Sequence, residues 1–335
     1  MTQTRAILIG ERPHEVTVGE VTLPDLGPND VRVASRVVGI CRTDVEIRDG
    51  HLEHIIDMTY PVVPGHEWSG QVVEVGSAVT RVVPGDRVVG ECLITSHDWF
   101  GCNVNGAGSD LFNCPESVLH RLPDTVGDQM GALVEPFTIA FRAIRTAGRC
   151  DSGDVVAVIG GGMVGQCAAA ICRANGAEVV MVEPKKVRRD AAKRLDAHHA
   201  VDPADLSNPE DWFRDNLGIA GPNLVVEASG APAAIASALD IAAFESRVVM
   251  IGITGQSSIA APMNRIQSKN LSIIGVTGSP GVWPAALRFL GRTRIDLESL
   301  VTQTYAFEDA VAAFQAVEDP DNMKIHLAPT VGTAA

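Results

Sequence analysis

Residues 155–165 read Val-Val-Ala-Val-Ile-Gly-Gly-Gly-Met-Val-Gly, an apolar strand that runs directly into a glycine-rich turn. The glycines at 160, 162 and 165 fit the pattern G-x-G-x-x-G. An amphipathic segment follows, and then a second apolar strand that ends at Glu183. Strand, triplet, helix, strand and acid in this order predict a dinucleotide-binding βαβ unit, against the alternative of a glycine turn in an ordinary crossover.

Each glycine of the triplet has a physical role in such a unit. Gly160 permits the tight turn, Gly162 lets the backbone approach a pyrophosphate, and Gly165 allows the helix to pack closely on the strand. Met163 and Val164 begin the helix, whose first amide groups can face phosphate oxygens. We therefore expect residues 160–165 to bind the cofactor phosphates.

The rest of this region alternates strands and helices, which predicts a doubly wound parallel sheet. Ser229, Thr254 and Thr277 follow three of its strands, at the carboxyl ends that line the ligand crevice of such sheets, so we expect them near the cofactor. The predicted strands are 155–159, 178–182, 223–227, 247–252 and 271–275, and the predicted helices are 163–175, 187–196, 209–216 and 232–241. A helix at 283–290, a strand at 300–305, a helix at 307–318 and a strand at 324–328 complete the chain.

Residues 1 to about 140 are instead β-rich. Short alternating segments are separated by turn clusters such as Gly27-Pro28-Asn29-Asp30, and the pattern becomes helical around residues 130–146. The predicted strands here are 16–21, 30–38, 70–75 and 86–89.

Composition excludes several classes of protein. The 335 residues carry a net charge of −14, which disfavours nucleic acid and anionic membranes as partners. The chain has no apolar run long enough to span a membrane and no apolar signal core at its start. Its seven scattered cysteines suit reduced thiols, so we expect a cytoplasmic protein.

Three segments of the β-rich half carry metal-ligand chemistry. Cys41, His66 and Glu135 offer a thiolate, an imidazole and a carboxylate, a set that suits zinc. A lone cysteine or histidine is more often a core or loop residue. Their joint occurrence ahead of a dinucleotide unit favours a metal site.

At this point the chain resembles the medium-chain, zinc-dependent alcohol and polyol dehydrogenase family over essentially its whole length. The resemblance implies an α/β protein with a GroES-like catalytic domain at 1–140, a Rossmann domain at 141–276, a C-terminal return onto the catalytic domain at 277–335, and a homodimer or homotetramer. The segments that carry it are residues 39–44, 64–67, 84–88, 134–136 and 160–165, together with 307–310 and Lys324.

The resemblance also implies roles for single residues. Cys41, His66 and Glu135 would surround one catalytic zinc per subunit, and Glu67 would be able to approach the metal or a bound water. Asp44 would orient His66, and Thr43 would hydrogen-bond the reacting hydroxyl. Arg42 matches a position where some members contact the pyrophosphate.

The sequence departs from the family pattern in two places. Cys92, Cys102 and Cys114 are too widely spaced for the structural zinc that four close cysteines bind in other members, so we expect that site to be lost and the shortened lobe at 96–101 to serve subunit packing or to cover the active site. Glu46 stands where many relatives have a proton-relaying histidine. It could relay the proton or be a solvated side chain, and His51 is an alternative relay.

Glu183 also indicates which cofactor binds. Its carboxylate can accept hydrogen bonds from both ribose hydroxyls and would repel a 2′-phosphate, which favours NAD. Lys185, Lys186 and Arg188 reduce that repulsion, and Arg188 matches a basic residue that touches the ribose in relatives. The less favoured alternative is that the two lysines are an exposed, charged start of a helix.

The sequence thus predicts an NAD- and zinc-dependent dehydrogenase of a secondary alcohol on a small polar alcohol or ketone substrate such as a polyol, a sugar or an aminocyclitol. The alternatives are a dehydrogenase of simple or amino-acid alcohols with NAD(P), a metal-free enoyl or quinone reductase, and a nucleotide-binding structural or regulatory protein. Few rings are available for a hydrocarbon pocket, because aromatic residues make up 4% of the chain, although Trp68, Trp99 and Phe100 lie in segments that could line one.

Overall fold

The computed structural model describes the chain except residues 1, 11, 13, 14, 54, 55, 149 and 331–335. It divides into two compact units, which we call the β-rich unit and the nucleotide unit. The β-rich unit combines Met1–Glu135 with Trp283–Ala335, and the nucleotide unit is Pro136–Val282. In the part of the chain that the structure describes, no helix is both long enough and apolar enough to cross a membrane.

The elements alternate in type much more regularly in the second half of the chain than in the first. In chain order they are β1 (Thr2–Ile9), β2 (Val16–Leu23), β3 (Asp30–Ile40), α1 (Arg42–Arg48), β4 (Glu67–Val75), β5 (Arg87–Gly90), β6 (Leu111–Pro115), β7 (Leu119–Arg121), α2 (Asp128–Gly131), α3 (Val134–Ala147), β8 (Val155–Ile159), α4 (Met163–Ala174), β9 (Glu178–Val182), α5 (Lys186–Arg194), β10 (His199–Val201), α6 (Pro209–Leu217), β11 (Leu224–Glu227), α7 (Pro232–Ile241), β12 (Arg247–Met250), α8 (Asn264–Ser268), β13 (Ser272–Gly275), α9 (Trp283–Thr293), β14 (Val301–Ala306), α10 (Ala310–Ala316) and β15 (Lys324–Ala328).

The β-rich unit is built on a seven-stranded sheet in the order β14-β15-β3-β4-β5-β7, with β6 pairing β3 off this path. Strand β3 lies antiparallel to both β15 and β4. Its register sets Gly39 opposite Glu67 on β4 and Ile40 opposite Ile325 on β15. The end of β3 and the starts of β4 and β15 therefore meet at one place.

An aromatic cluster fills the core of this unit. Trp68 packs edge-on against Phe112, with ring centroids 4.8 Å apart, and Phe100 lies within 6.0 Å of both rings. Trp68 and Phe100 are 2% and 1% exposed, so they are core side chains and not the pocket wall that their positions in the sequence allowed. Trp99 packs on the same cluster and is partly buried.

The nucleotide unit has a six-stranded parallel sheet in the order β10-β9-β8-β11-β12-β13. From β8 the chain adds β9 and β10 on one side and then β11, β12 and β13 on the other, so the order reverses beside β8. The five predicted strands are all present, with ends shifted by at most two residues. This confirms the doubly wound fold, and it puts the glycine turn after β8 at the position where such sheets bind ligands.

Candidate metal centre and nucleotide site

The register of the β-rich sheet brings together the metal-ligand candidates that β3 and β4 carry. Cys41 follows the last residue of β3. Glu67 is the first residue of β4, and His66 immediately precedes it. A side chain at position 39 would collide with Glu67 and Lys324. A Cβ there would lie 2.7 Å from Oε2 of Glu67 and 3.0 Å from Cε of Lys324. Gly39 thus leaves room for the cluster.

Cys41, His66 and Glu67 form a compact set of ligand atoms. One atom from each side chain lies within 4.8 Å of the other two, and among the described residues this is the only set of three or more histidine, cysteine or acidic residues that meets this distance. Glu135, the second residue of α3, is an electrostatic neighbour of His66 and Glu67 but stands outside the set. The structure therefore brings the carboxylate of Glu67 closer to the thiol and imidazole than that of Glu135.

Helix α1 begins directly after Cys41 and holds the residues expected to assist the chemistry. The Cys41 amide donates to Oδ2 of Asp44 at 2.7 Å, which fixes the helix start. The other oxygen of Asp44 lies 3.6 Å from Nδ1 of His66, in a position to orient the ring. Oγ1 of Thr43 lies 3.6 Å from the Cys41 sulfur, so its hydroxyl is beside the ligand cluster.

Burial and neighbouring charges shift the pKa values of the side chains in the cluster. Burial, and then the Glu67 carboxylate, raise the pKa of the Cys41 thiol. Burial alone would lower the pKa of His66, but Asp44, Cys102 and Cys41 outweigh it, and the pKa is raised well above its usual value. Burial also raises the pKa of Glu135 to about 7. A thiol, an imidazole and carboxylates held in one buried cluster are the donor set that zinc selects, so these residues fit that metal.

Lys324 supplies a positive charge to this acidic cluster. Its ammonium forms an ion pair with Glu67 and donates to the carbonyl oxygen of Ile40 at 2.9 Å. Burial alone would lower the pKa of Lys324, but Glu67 and then Cys41 outweigh it and raise the pKa. From the sequence alone Lys324 could only be matched to the family pattern, because the contact depends on how β15 pairs with β3.

Two cysteines that flank the shortened lobe, Cys92 and Cys102, lie near the same cluster, which sequence spacing did not indicate. The Cys102 sulfur is 3.9 Å from Nδ1 of His66, and its thiol is hydrogen-bonded to that of Cys92. That hydrogen bond lowers the pKa of Cys102 to about 6, against the effect of burial. Cys114, by contrast, is buried in β6 near the Val31 carbonyl.

The two candidate relay residues are bonded to each other. Nδ1 of His51 lies 2.9 Å from Oε2 of Glu46, and Arg42 donates to Oε1 of Glu46 at 2.6 Å. Arg42, which the resemblance relates to the pyrophosphate, is exposed and makes this contact within α1.

Close contacts and one positive φ angle explain why two positions of the turn in the nucleotide unit are glycine. Gly160 has φ = 100°, and a Cβ on it would lie 2.7 Å from that of Ser229. A Cβ on Gly165 would lie 1.8 Å from the Gly160 carbonyl oxygen, whereas one on Gly162 would face open space. Gly162 caps α4, which starts at Met163 and Val164, so the turn leaves a helix N-terminus accessible to an anion.

Glu183 lies directly after β9 and is buried beside this turn. Its oxygens accept from the amides of Gly161 at 2.7 Å and Lys185 at 2.9 Å. Arg188 approaches the same carboxylate, at 3.9 Å from Nη1 to Oε2. The acid is therefore held rigidly at the carboxyl end of the second strand, where a ribose contact requires it.

Ser229, Thr254 and Thr277 come after β11, β12 and β13, at the carboxyl ends of three parallel strands. Ser229 is fixed by two hydrogen bonds to the buried Glu227, through its amide at 2.9 Å and its hydroxyl at 2.6 Å. These residues share one edge of the sheet with the glycine turn.

Comparison with known proteins identifies the family. The family model described as "Alcohol dehydrogenase GroES-like domain" matches residues 27–124, and the model described as "Zinc-binding dehydrogenase" matches residues 163–292. An L-threonine 3-dehydrogenase from Shewanella loihica is 31% identical over 91% of this chain and 93% of its own length. The chain belongs to the medium-chain, zinc-type alcohol dehydrogenase family.

Two further similarities show the range of this family. A 2-dehydro-3-deoxy-L-galactonate 5-dehydrogenase from Pseudoalteromonas atlantica is 30% identical over 94% of this chain and 96% of its own length. A zinc-binding dehydrogenase from Sinorhizobium meliloti, solved with NADP bound, has the same fold, with a TM-score of 0.89 at 24% identity over 98% of this chain and all of its own. The protein is thus an oxidoreductase of the zinc-type alcohol dehydrogenase family.

Proposed function

We propose that the protein catalyses reversible hydride transfer between NAD and a secondary alcohol of a small polyhydroxylated compound, such as a polyol, a sugar or an aminocyclitol. The observation that carries the proposal is the compact set of Cys41, His66 and Glu67, of which His66 and Glu67 are buried and Cys41 is partly buried, with Thr43 beside it. When bound there, zinc would polarise the alcohol oxygen as a Lewis acid and make its hydrogen more acidic.

Side chains of the β-rich unit would orient the metal ligands and remove the proton from the substrate hydroxyl. Asp44 holds the ring of His66, and Lys324 balances the charge of Glu67. The hydroxyl of Thr43 would accept the substrate's hydroxyl proton and pass its own proton on. When bound, the nicotinamide ring would accept the hydride, as its chemistry dictates.

We propose one zinc per subunit, with Cys41 and His66 as ligands and Glu67 or Glu135 as the third. Metal analysis of purified wild type should give one zinc per chain, and Cys41→Ser should give none. Comparing Glu67→Gln with Glu135→Gln identifies the third ligand, because loss of the ligand should weaken zinc binding more than loss of the neighbouring carboxylate, which alone can cost ~10- to 100-fold. Two tightly held zincs, or none, in the wild type would contradict the proposal.

The choice of NAD rests on Glu183. A buried, rigidly held carboxylate would repel a ribose 2′-phosphate, and its neighbour Arg188 is already directed at that carboxylate. The value of kcat/KM should therefore be higher with NAD than with NADP. The opposite order would mean that Lys185, Lys186 and Arg188 dominate.

A polar substrate is favoured by the many acidic groups around the cluster. Glu67, Glu135 and Glu46 can accept hydrogen bonds from neighbouring hydroxyls or an amine, and a site built for such groups rejects analogues that lack them. One relative is named for a sugar acid, which agrees with this proposal, and the other is named for L-threonine, which agrees with the alternative of an amino-acid alcohol. A panel of polyols, cyclitols, aminocyclitols, sugars and aliphatic alcohols tests the proposal. Simple aliphatic alcohols with a higher kcat/KM than every polyhydroxylated compound tested would refute it.

A further inference from the structure

A buried glutamine directly follows the glycine turn of the nucleotide unit. Gln166 is the fourth residue of α4 and comes after Gly165, the last glycine of the G-x-G-x-x-G pattern. Its side chain is fully buried. Its Nε2 donates to the carbonyl oxygen of Gly161 at 3.1 Å and to that of Arg188 at 2.9 Å. One side chain therefore ties the turn after β8 to the first turn of α5.

The amide of Gln166 is used only as a donor. Among the described residues its Oε1 has no hydrogen-bond partner. Burying an amide oxygen without a partner costs free energy that a methionine or a leucine at this position would not cost. The two donated bonds offset that cost, so the role of Gln166 lies in the two residues that it holds, Gly161 and Arg188.

Both residues that Gln166 holds contact the carboxylate of Glu183. The Gly161 amide donates to Oε2 of Glu183 at 2.7 Å, and Nη1 of Arg188 lies 3.9 Å from the same oxygen. The packing between them is tight, because a Cβ on Gly161 would lie 3.0 Å from Cγ of Glu183 and 3.2 Å from Cβ of Arg188. Gln166 thus fixes the spacing between the glycine turn, Glu183 and Arg188.

The side chain of Arg188 does not fix its own position. Its contact with Glu183 is longer than a hydrogen bond, and its Nε is buried without a partner among the described residues. The main chain of Arg188 is held instead, at its carbonyl by Gln166 and at its amide by the Lys185 carbonyl oxygen at 3.1 Å. Arg188 therefore lies beside Glu183 because the start of α5 is held against the glycine turn.

We propose that Gln166 is a positioning residue for cofactor choice, which keeps Arg188 paired with Glu183 and so withholds its guanidinium from a ribose 2′-phosphate. The inference rests on the proposed use of NAD. A free arginine is a strong ligand for phosphate, because its planar fork of donors matches the phosphate oxygens. Held beside a buried carboxylate, the same guanidinium presents a 2′-phosphate with no net positive charge.

The first test measures cofactor binding alone, without substrate. NADH and NADPH are titrated into the purified protein by fluorescence, and the readout is the ratio of their affinities. Gln166→Met keeps a long, unbranched side chain and removes both donated bonds. Release of α5 should let Arg188 reach the 2′-phosphate and raise the affinity for NADPH relative to NADH by ~10-fold. A general loosening of the turn would weaken both cofactors and leave the ratio unchanged.

A double variant shows whether the effect passes through Arg188. In an Arg188→Met background, Gln166→Met should change the affinity ratio by less than ~2-fold, because the group that it releases is gone. The same rise in both backgrounds would overturn the proposal, and so would a ratio in Gln166→Met within ~2-fold of wild type. Gln166→Leu repeats the test with a second apolar side chain of different shape.

Ser246→Ala is the matched control. It also removes a hydrogen bond from a fully buried side chain to the main chain, that from Oγ of Ser246 to the Pro222 carbonyl oxygen at 2.8 Å. Ser246 immediately precedes β12, at the end of the sheet opposite to the glycine turn. The control should leave the affinity ratio unchanged, and a rise equal to that of Gln166→Met would overturn the proposal.

The wild type offers a further test that needs no variant to fold. In NMR of 15N-glutamine-labelled protein, the side-chain amide hydrogens of Gln166 should exchange with water far more slowly than those of the exposed Gln256, and equally rapid exchange would overturn the proposal. Tighter binding of NADPH than of NADH by the wild type would refute the use of NAD and the role of Gln166 together. The expected affinity ratios without turnover of any substrate would refute the proposed dehydrogenase function alone.

Discussion

The buried ion pair between Lys324 and Glu67 offers a demanding test of how the metal centre is held together. The two side chains are 4% and 2% exposed, and Lys324 also donates to the Ile40 carbonyl. Lys324→Met removes the charge but keeps a long, unbranched chain that fills similar space. In metal-free protein it should leave the carboxylate of Glu67 buried without its partner.

The expected magnitude follows from that burial. Removing one partner of a buried pair costs about 3–5 kcal/mol, because the remaining charge stays desolvated. For a domain of this size each kcal/mol corresponds to about 2–4 °C, so Lys324→Met should lower the melting temperature of the β-rich unit by about 6–20 °C. Removing both charges in Glu67→Gln/Lys324→Met should cost less than the sum of the two single changes, by about 2 kcal/mol or more.

Unfolding of the β-rich unit can be followed separately by tryptophan fluorescence. The chain has four tryptophans, of which Trp212 alone lies in the nucleotide unit, so Trp212→Phe makes the signal specific to the β-rich unit. Thermal and urea unfolding are then recorded on chelator-treated protein. Arg12→Met, which removes an 83% exposed arginine of the β-rich unit paired with Glu15, is the control and should leave the free energy of unfolding almost unchanged. A loss below ~1 kcal/mol for Lys324→Met, or additive single effects, would refute the reasoning.

Three further predictions concern other parts of the chain. Burial, and then Lys324, lower the pKa of His326 to about 3, so the folded state binds fewer protons than the unfolded state and stability should fall as the pH drops below about 6.5. His326→Gln should flatten that dependence, by up to roughly 3 kcal/mol at pH 4, in urea unfolding at several pH values. Glu183→Gln should raise the NADP/NAD ratio of kcat/KM ~10-fold, since the amide does not repel a 2′-phosphate, and an unchanged ratio would remove Glu183 from cofactor choice. Gly165→Ala should abolish NADH binding in a fluorescence titration, because its methyl would overlap the Gly160 carbonyl oxygen, and near-normal affinity would contradict that geometry.

The strands of the nucleotide unit could be predicted from the sequence because each one is marked by a local run of apolar residues. Strands β8 and β9 match the predicted ranges at both ends, since each is a run of buried apolar residues bounded by turn residues. Strand β10 was missed, because its three residues are only partly buried and carry no periodicity. The helix predicted at 307–318 is shorter, with a 3₁₀ turn at Phe307–Asp309 before α10.

The site was predictable in its residue types and less so in its arrangement. Cys41 and His66 could be recognised from their local context. The proximity of Glu67 depends on β3 pairing with β4 in one register, and that of Cys102 on the fold of the lobe. A shift of β4 by one residue would turn Glu67 to the other face of the sheet, and no local pattern reports such a shift.

Gly39 shows why the metal centre and the C-terminal strand must form together. It lies opposite both Glu67 and His326, and it has no side chain, so Glu67 and Lys324 can meet across it. The hydrogen bond from Lys324 to Ile40 joins residues 284 positions apart. Until β15 docks, Glu67 lacks its counter-charge, and the acidic cluster repels itself. The charge balance of the cluster around Glu67 is therefore complete only once the chain has passed through the nucleotide unit and returned to add β15.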